Sequence, residues 1–129
     1  MTSVGRPSKG LRDAIIIRPT PELGALLRCE GQRNLMTAGE HVVSLLAQHF
    51  GLPQFMPEPS LRNPERYPTR PHVTNGRDSI SVRPPLEFGH LIKECAGNAG
   101  LNYGAYVVDM IELMLLAQPE DDDAASEER

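Results

Sequence analysis

Four arginines stand at matched places in this chain. Arg12 and Arg18 bracket the run Ala14-Ile15-Ile16-Ile17, and Arg77 and Arg83 bracket Ser79-Ile80-Ser81-Val82. A guanidinium presents a rigid fork of donors that fits phosphate oxygens and the edge of guanine, so arginines gathered on one face point to anion chemistry. Two helix starts point the same way. Thr37-Ala38-Gly39 and Asn102-Tyr103-Gly104 each read as an N-cap followed by first-turn N–H groups, the positive end of a helix and a setting for phosphate. In both, the glycine two residues after the cap permits close backbone approach. Arg6 and Lys9 lie in a basic arm ahead of the first arginine pair.

Other chemistry finds no such support. His41, His49, His72 and His90 are scattered, and His41 and His49, eight residues apart on one helix, read as boundary residues. There is no Ser/His/Asp constellation, Gly-rich phosphate loop or paired-carboxylate site, so catalysis, a cofactor and a metal are not expected. Cys29 and Cys95 lack metal-ligand spacing. With no secretory signal and no apolar run of membrane-spanning length, they read as reduced thiols of a cytoplasmic protein, with no membrane partner.

The elements that must position the arginines are written twice. At a constant offset of 65, Arg12-Asp13-Ala14-Ile15-Ile16-Ile17-Arg18-Pro19 returns as Arg77-Asp78-Ser79-Ile80-Ser81-Val82-Arg83-Pro84. The register continues through Gly24/Gly89, Arg28/Lys93, Thr37/Asn102, Gly39/Gly104 and Val42-Val43/Val107-Val108. A copy of about 40 residues cannot bury an adequate core alone, whereas two sharing one core can.

Within copy one, β-branched Asp13–Arg18 suits a short strand. Thr20 caps a helix with Pro21 at its first position, stopping near Asn34–Met36. Thr37 and Glu40 form a capping box for a second helix that Gly51 and Pro53 end. Copy two repeats the plan, with Asn102 capping the last helix. Gly24 and Gly89, inside the first helices, cost up to about 1 kcal/mol each relative to alanine, and their recurrence implies close helix packing. The expected organisation is a flexible basic arm (1–11), a first unit (12–52), a Pro-rich semi-extended linker (53–76), a second unit (77–118) and a disordered acidic tail (119–129).

A single short strand per copy needs a partner for its backbone, and the equivalent strand of the other copy supplies one. The expected fold is therefore mainly α with one two-stranded antiparallel ribbon. Ile15, Ile17, Ile80 and Val82 face the helices. Arg12, Ala14, Ile16, Arg18, Arg77, Ser79, Ser81 and Arg83 face outward. A pair centred near Ile15 and Ile80 sets Arg12 near Arg83 and Arg18 near Arg77. Like charges opposite one another are unfavourable unless an anion covers them, and such a ribbon fits the major groove of DNA. The plainer reading makes these arginines solvated strand flanks that discourage edge pairing.

The net charge of −4 conceals this polarity. The 13 basic and 17 acidic residues fall to 12 and 11 once residues 119–129 are set aside. The chain has a cationic head and an anionic tail, and its overall charge does not decide for or against a nucleic-acid partner.

Strand, helix, helix, with Ile80-Ser81-Val82-Arg83-Pro84 and more loosely Ile15-Ile16-Ile17-Arg18-Pro19, resembles the ribbon-helix-helix DNA-binding family. The resemblance covers residues 12–50 and 77–116. It implies a tandem pseudo-dimer of order β-α-α-linker-β-α-α, built within one chain and free to associate further on DNA. It further implies a sequence-specific double-stranded DNA-binding protein of a prokaryotic, plasmid or phage setting, acting as a transcriptional repressor. Ala14, Ile16, Arg18, Ser79, Ser81 and Arg83 become the base-facing set, with Arg12 and Arg77 as ribbon flanks. Thr37, Ala38, Gly39, Asn102, Tyr103 and Gly104 become phosphate contacts. Ala14 and Ile16 depart from the polar residues expected there, so the two half-sites should differ. The alternative is a protein-interaction module, antitoxin-like or partner-binding, on the same scaffold with reduced DNA readout and a protein partner for the acidic tail.

Overall fold

Two three-residue strands, β1 (Ile15–Ile17) and β2 (Ile80–Val82), pair antiparallel with Ile15 opposite Val82, Ile16 opposite Ser81 and Ile17 opposite Ile80. The computed structural model describes residues 12–66 and 69–127, and the expected arm with Arg6 and Lys9 lies outside them. Among the described residues the chain is mainly helical, with four helices and this one sheet. The pair is centred on Ile16 and Ser81, one residue along from the expected centre. The cause is apolar matching: this register sets all four inward residues against one another, whereas a centre at Ile15 sets Ile17 opposite Asp78. Ile15, Ile17, Ile80 and Val82 are buried, while Ile16 and Ser81 are exposed. Turning the strands over would expose four side chains worth roughly 1.5–3 kcal/mol each. That sum rivals the total stability of a small domain.

The helices start where the caps dictate. In α1 (Pro21–Arg33) the Thr20 hydroxyl accepts from the Leu23 N–H at 3.2 Å. For α2 (Ala38–Phe50) the capping box is complete: Thr37 Oγ1 accepts from Glu40 N–H (3.1 Å) and Glu40 Oε1 from Thr37 N–H (3.0 Å). In copy two, α3 (Leu86–Asn98) starts after Pro85 without a side-chain cap, and α4 (Tyr103–Glu127) is capped by Asn102 Oδ1 on the Ala105 N–H at 2.9 Å. Leu27, Val42, Val43, Leu46, Phe88, Ile92, Val107 and Ile111 form the core beneath the ribbon.

Each copy is tied to the other through an aspartate. The Asp78 N–H donates to Pro19 O (3.0 Å) and the Asp13 N–H to Pro84 O (2.9 Å), extending the ribbon at both ends. The fully buried Asp78 carboxylate takes two bonds from Arg28 on α1, at 2.8 and 3.2 Å. Asp13 takes Lys93 Nζ from α3 at 3.2 Å and the Tyr103 hydroxyl at 3.4 Å. Gly24 and Gly89 lie directly under these carboxylates, where a Cβ would overlap Asp78 or Asp13. The recurring glycines therefore make room for a crossing aspartate rather than for a neighbouring helix.

The linker is more built than its composition predicts. Short 3-10 turns form at Pro53–Phe55 and Pro64–Arg66. Phe55 stacks on Phe88 with centroids 4.8 Å apart, and Leu61 is buried with its N–H on Leu35 O. Asn75 and Gly76, both at positive φ, close a tight turn between Thr74 and Arg77 just before β2. At the other end, composition predicts disorder past Pro119, but the backbone stays helical to Glu127. Proline removes one hydrogen bond from a helix already running, and Glu120, Ala124, Ala125 and Glu127 beyond it favour helix.

Both first helices end in a left-handed residue, with the next N–H returning to the last turn: Met36 N–H to Gly31 O, Leu101 N–H to Ala96 O. Copy two places Gly100 there (φ +75°), copy one Leu35 (φ +60°). Leucine in this region costs about 1–2 kcal/mol, and Leu35 is 46% exposed, so its side chain recovers little. Leu35→Gly is expected to raise the unfolding free energy by about 1 kcal/mol in a urea titration.

Burial raises the Asp78 carboxyl, but the Arg28 bonds and the Ser79 and His72 N–H groups outweigh it and hold the group below its ordinary 3.8. Asp13 is likewise held low, with burial opposed chiefly by Lys93. A lowered carboxyl stabilises fully above the unfolded value and loses that contribution as pH falls through the folded one. Unfolding free energy should therefore drop as pH is taken below about 4. Asp78→Asn is expected to cost about 3–5 kcal/mol at pH 7 and to flatten the acid limb.

Candidate nucleic-acid interface

Alternation along the two strands decides what the ribbon shows to solvent. Ala14, Ile16, Arg18, Ser81 and Arg83 are exposed, Ser79 is half-buried, and Arg12 and Arg77 stand exposed at the flanks. In the observed register Ala14 falls opposite Arg83 and Arg18 opposite Ser79, with Ile16 and Ser81 at the centre. The outward set expected from sequence is thus gathered on one face.

The arginines divide into two kinds. Arg12 Nη1 donates to Arg83 O at 3.1 Å, and Arg77 Nη1 to Arg18 O at 3.4 Å. These flanking side chains hold the backbone of the opposite strand, which also explains how like charges come to lie close. The Arg18 and Arg83 side chains make no hydrogen bond or ion pair among the described residues. Two forks with open donors therefore project from the exposed face of a ribbon whose backbone is anchored.

The helix starts lie beside this face. The capping box occupies the N–H groups of Thr37 and Glu40, leaving Ala38 and Gly39 in the first turn, where an α-helix has no internal acceptors. Asn102 likewise caps α4, ahead of the first-turn residues Tyr103 and Gly104. The Tyr103 side chain turns inward: burial and then Asp13 raise its phenol well above the usual range, and Lys93 sits 5.3 Å over its ring. Its contribution to an anion site is thus confined to its backbone.

Gly39 and Gly104 have a packing cause that sequence reading did not assign. A Cβ on Gly39 would overlap the Ser81 carbonyl oxygen, and one on Gly104 would come 3.1 Å from Ile16 O. The start of each second helix is pressed on the central residue of the other copy's strand. Arg12, Ser81 and Arg83 of the ribbon and Thr37, Gly39 and Glu40 at the start of α2 also line one groove of about 670 Å³, together with Phe55, Met56 and Glu58.

Sequence reasoning missed the Asp13 and Asp78 ties, although the signal was present. Both aspartates and their cations recur at the same offset of 65. It also placed His41 at a boundary, whereas α2 buries it beside Gly31 and burial lowers its imidazole, opposed by Glu30. Among the described residues there is no cluster of three or more metal-ligating side chains, and no helix is long and apolar enough to cross a membrane.

Comparison with protein families, with characterised proteins and with solved structures finds no match.

The two glycines give a graded prediction. Gly39→Ala should destabilise by about 1–3 kcal/mol, as overpacking does. Gly104→Ala should stay near zero, since the few tenths of an ångström it needs are offset by a helix-propensity gain of up to about 1 kcal/mol. Urea unfolding of both variants checks the order.

Proposed function

We propose that this protein binds double-stranded DNA sequence-specifically, lays its ribbon in the major groove and represses transcription by occupying an operator. On this reading the chain is a tandem ribbon-helix-helix unit, β1-α1-α2 and β2-α3-α4, acting as a pseudo-dimer in one polypeptide. The observation that carries it is the pair of unpartnered guanidinium groups, Arg18 and Arg83, on the exposed face of a ribbon whose every other support is fixed.

The dimensions suit the purpose. Paired strands lie about 4.8 Å apart, and the major groove is about 12 Å wide. Arg18 and Arg83 can each bond guanine O6 and N7 bidentately, Ser79 and Ser81 can bond several bases, and Ala14 and Ile16 can touch a thymine methyl. The first turns of α2 and α4 grip phosphates on either side without reading sequence. Arg6 and Lys9 add backbone attraction.

A second reading is a protein-interaction module on the same scaffold. Ile16 favours it, being 56% exposed at the centre of the outward face. Fluorescence anisotropy with labelled duplexes over a salt series separates the two. DNA binding predicts an affinity that falls linearly with salt on logarithmic axes, by about 0.9 per phosphate neutralised. Arg83→Ala should lower affinity for a preferred duplex by about 1–3 kcal/mol and relax its preference, whereas removing residues 1–10 should weaken all duplexes alike. No salt-dependent duplex binding, with a stable protein partner recovered instead, would favour the module.

A further inference from the structure

We propose that this chain recognises an asymmetric duplex and binds it in one orientation; the proposal rests on the ribbon reading given above. In a ribbon of two identical strands, both halves of the site must read alike. Here the outward residues agree at two matched positions, the flanking Arg12 and Arg77 among them, and differ at two. Arg18 and Arg83 correspond, so both outer positions present the same open guanidinium. Ala14 corresponds to Ser79 and Ile16 to Ser81, and there the chemistry changes.

The central pair decides the matter. The start of α4 lies against the Ile16 carbonyl and the start of α2 against the Ser81 carbonyl, which holds both residues at the crest of the ribbon. Ile16 is the most exposed large apolar side chain of the ribbon, at 56%, and it has no hydrogen-bonding group. Pressed on a G·C edge it would strip water from donors and acceptors and leave them unpaired. The group that it complements in the major groove is the C5-methyl of thymine. Ser81, directly opposite, carries a hydroxyl that donates and accepts.

The supports beneath are of the same kind in both copies. The Arg12 and Arg77 ties, the aspartate crossings and the capped second helices are all kept in both copies. Both halves thus offer a capped helix start and an outer arginine, and the sharpest chemical difference between them lies at Ile16 and Ser81, with Ala14 and Ser79 beside the arginines. The preferred duplex has like outer base pairs, a thymine facing Ile16 in one half and a hydrogen-bonding base edge facing Ser81 in the other.

The test is selection of duplexes from a random pool by the full chain, followed by anisotropy titration of the selected duplex. Two symmetrised versions, each built from one half and its inverse, are titrated beside it. The expected result is a non-palindromic consensus, with each symmetrised duplex bound about 5- to 100-fold more weakly. Uracil in place of the thymine facing Ile16 should weaken wild-type binding about fourfold, the worth of one buried methyl, and leave Ile16→Ser unaffected. Ile16→Ser should select a more nearly palindromic site. A palindromic consensus from the wild type, or indifference to uracil, overturns the proposal while leaving DNA reading intact. No enrichment of any sequence overturns both.

Discussion

A three-residue strand has nowhere within itself to send its N–H and C=O groups, and this constraint organises the molecule. Ile15–Ile17 and Ile80–Val82 satisfy one another, and neither copy can complete its fold without the other's strand. The exchange goes deeper than the ladder. Asp78 enters the notch at Gly24 and bonds Arg28, Asp13 enters the notch at Gly89 and bonds Lys93, and each second helix starts on the other copy's central strand residue. Removing the pairing would leave a buried carboxylate without its cation, a loss larger than that of the few ladder bonds themselves. The ribbon is thin, but everything beneath it is arranged to keep it in place.

Rigidity of that kind has a consequence for the outward face. Side chains that must meet a rigid partner lose less on binding when their backbone is already fixed. Arg12 and Arg77 bond the carbonyls of Arg83 and Arg18, so the two remaining guanidinium groups project from a pinned backbone. The copies are not equally tight. Arg28 meets Asp78 with two bonds and the carboxylate is fully buried, whereas Lys93 meets Asp13 with a half-exposed ammonium and Tyr103 completes the shell. The Arg28 fork places a separate nitrogen on each carboxylate oxygen, whereas the single Lys93 nitrogen straddles both oxygens of Asp13 at 3.2 and 3.4 Å and the Tyr103 hydroxyl adds a further donor.

Much of this was legible before any coordinates, because it lay in local signals. Thr20-Pro21, the Thr37/Glu40 box and Asn102 fixed three helix starts, and alternation in Ile15-Ile16-Ile17 and Ile80-Ser81-Val82 fixed which face is outward. What escaped reading was tertiary. That Gly24 and Gly39 yield space to the other copy follows only once the copies are placed together. Asn75-Gly76 is a strong local turn signal, but it sits in a proline-rich stretch whose composition pointed to an extended linker. The helix past Pro119 and the strained Leu35 are cases where a running helix and its closing hydrogen bonds overrode residue preference.

Joining both copies in one chain changes what the scaffold can become. The loop between strands costs an entropy that grows only with the logarithm of its length, and pairing no longer depends on protein concentration. More consequentially, a substitution in one strand is no longer imposed on the other. Positions that hold the ribbon down remain matched across the 65-residue offset: both aspartates, both inner glycine pairs, and the arginines at the four ends. Positions that only face outward, Ala14 against Ser79 and Ile16 against Ser81, have parted. Packed positions have changed as well, but Leu27 against Ile92 and Ile17 against Val82 both stay apolar and Arg28 against Lys93 both stay cationic. Ile16 against Ser81 instead exchanges an apolar group for a hydrogen-bonding one on the exposed face, where a difference between the two halves can act.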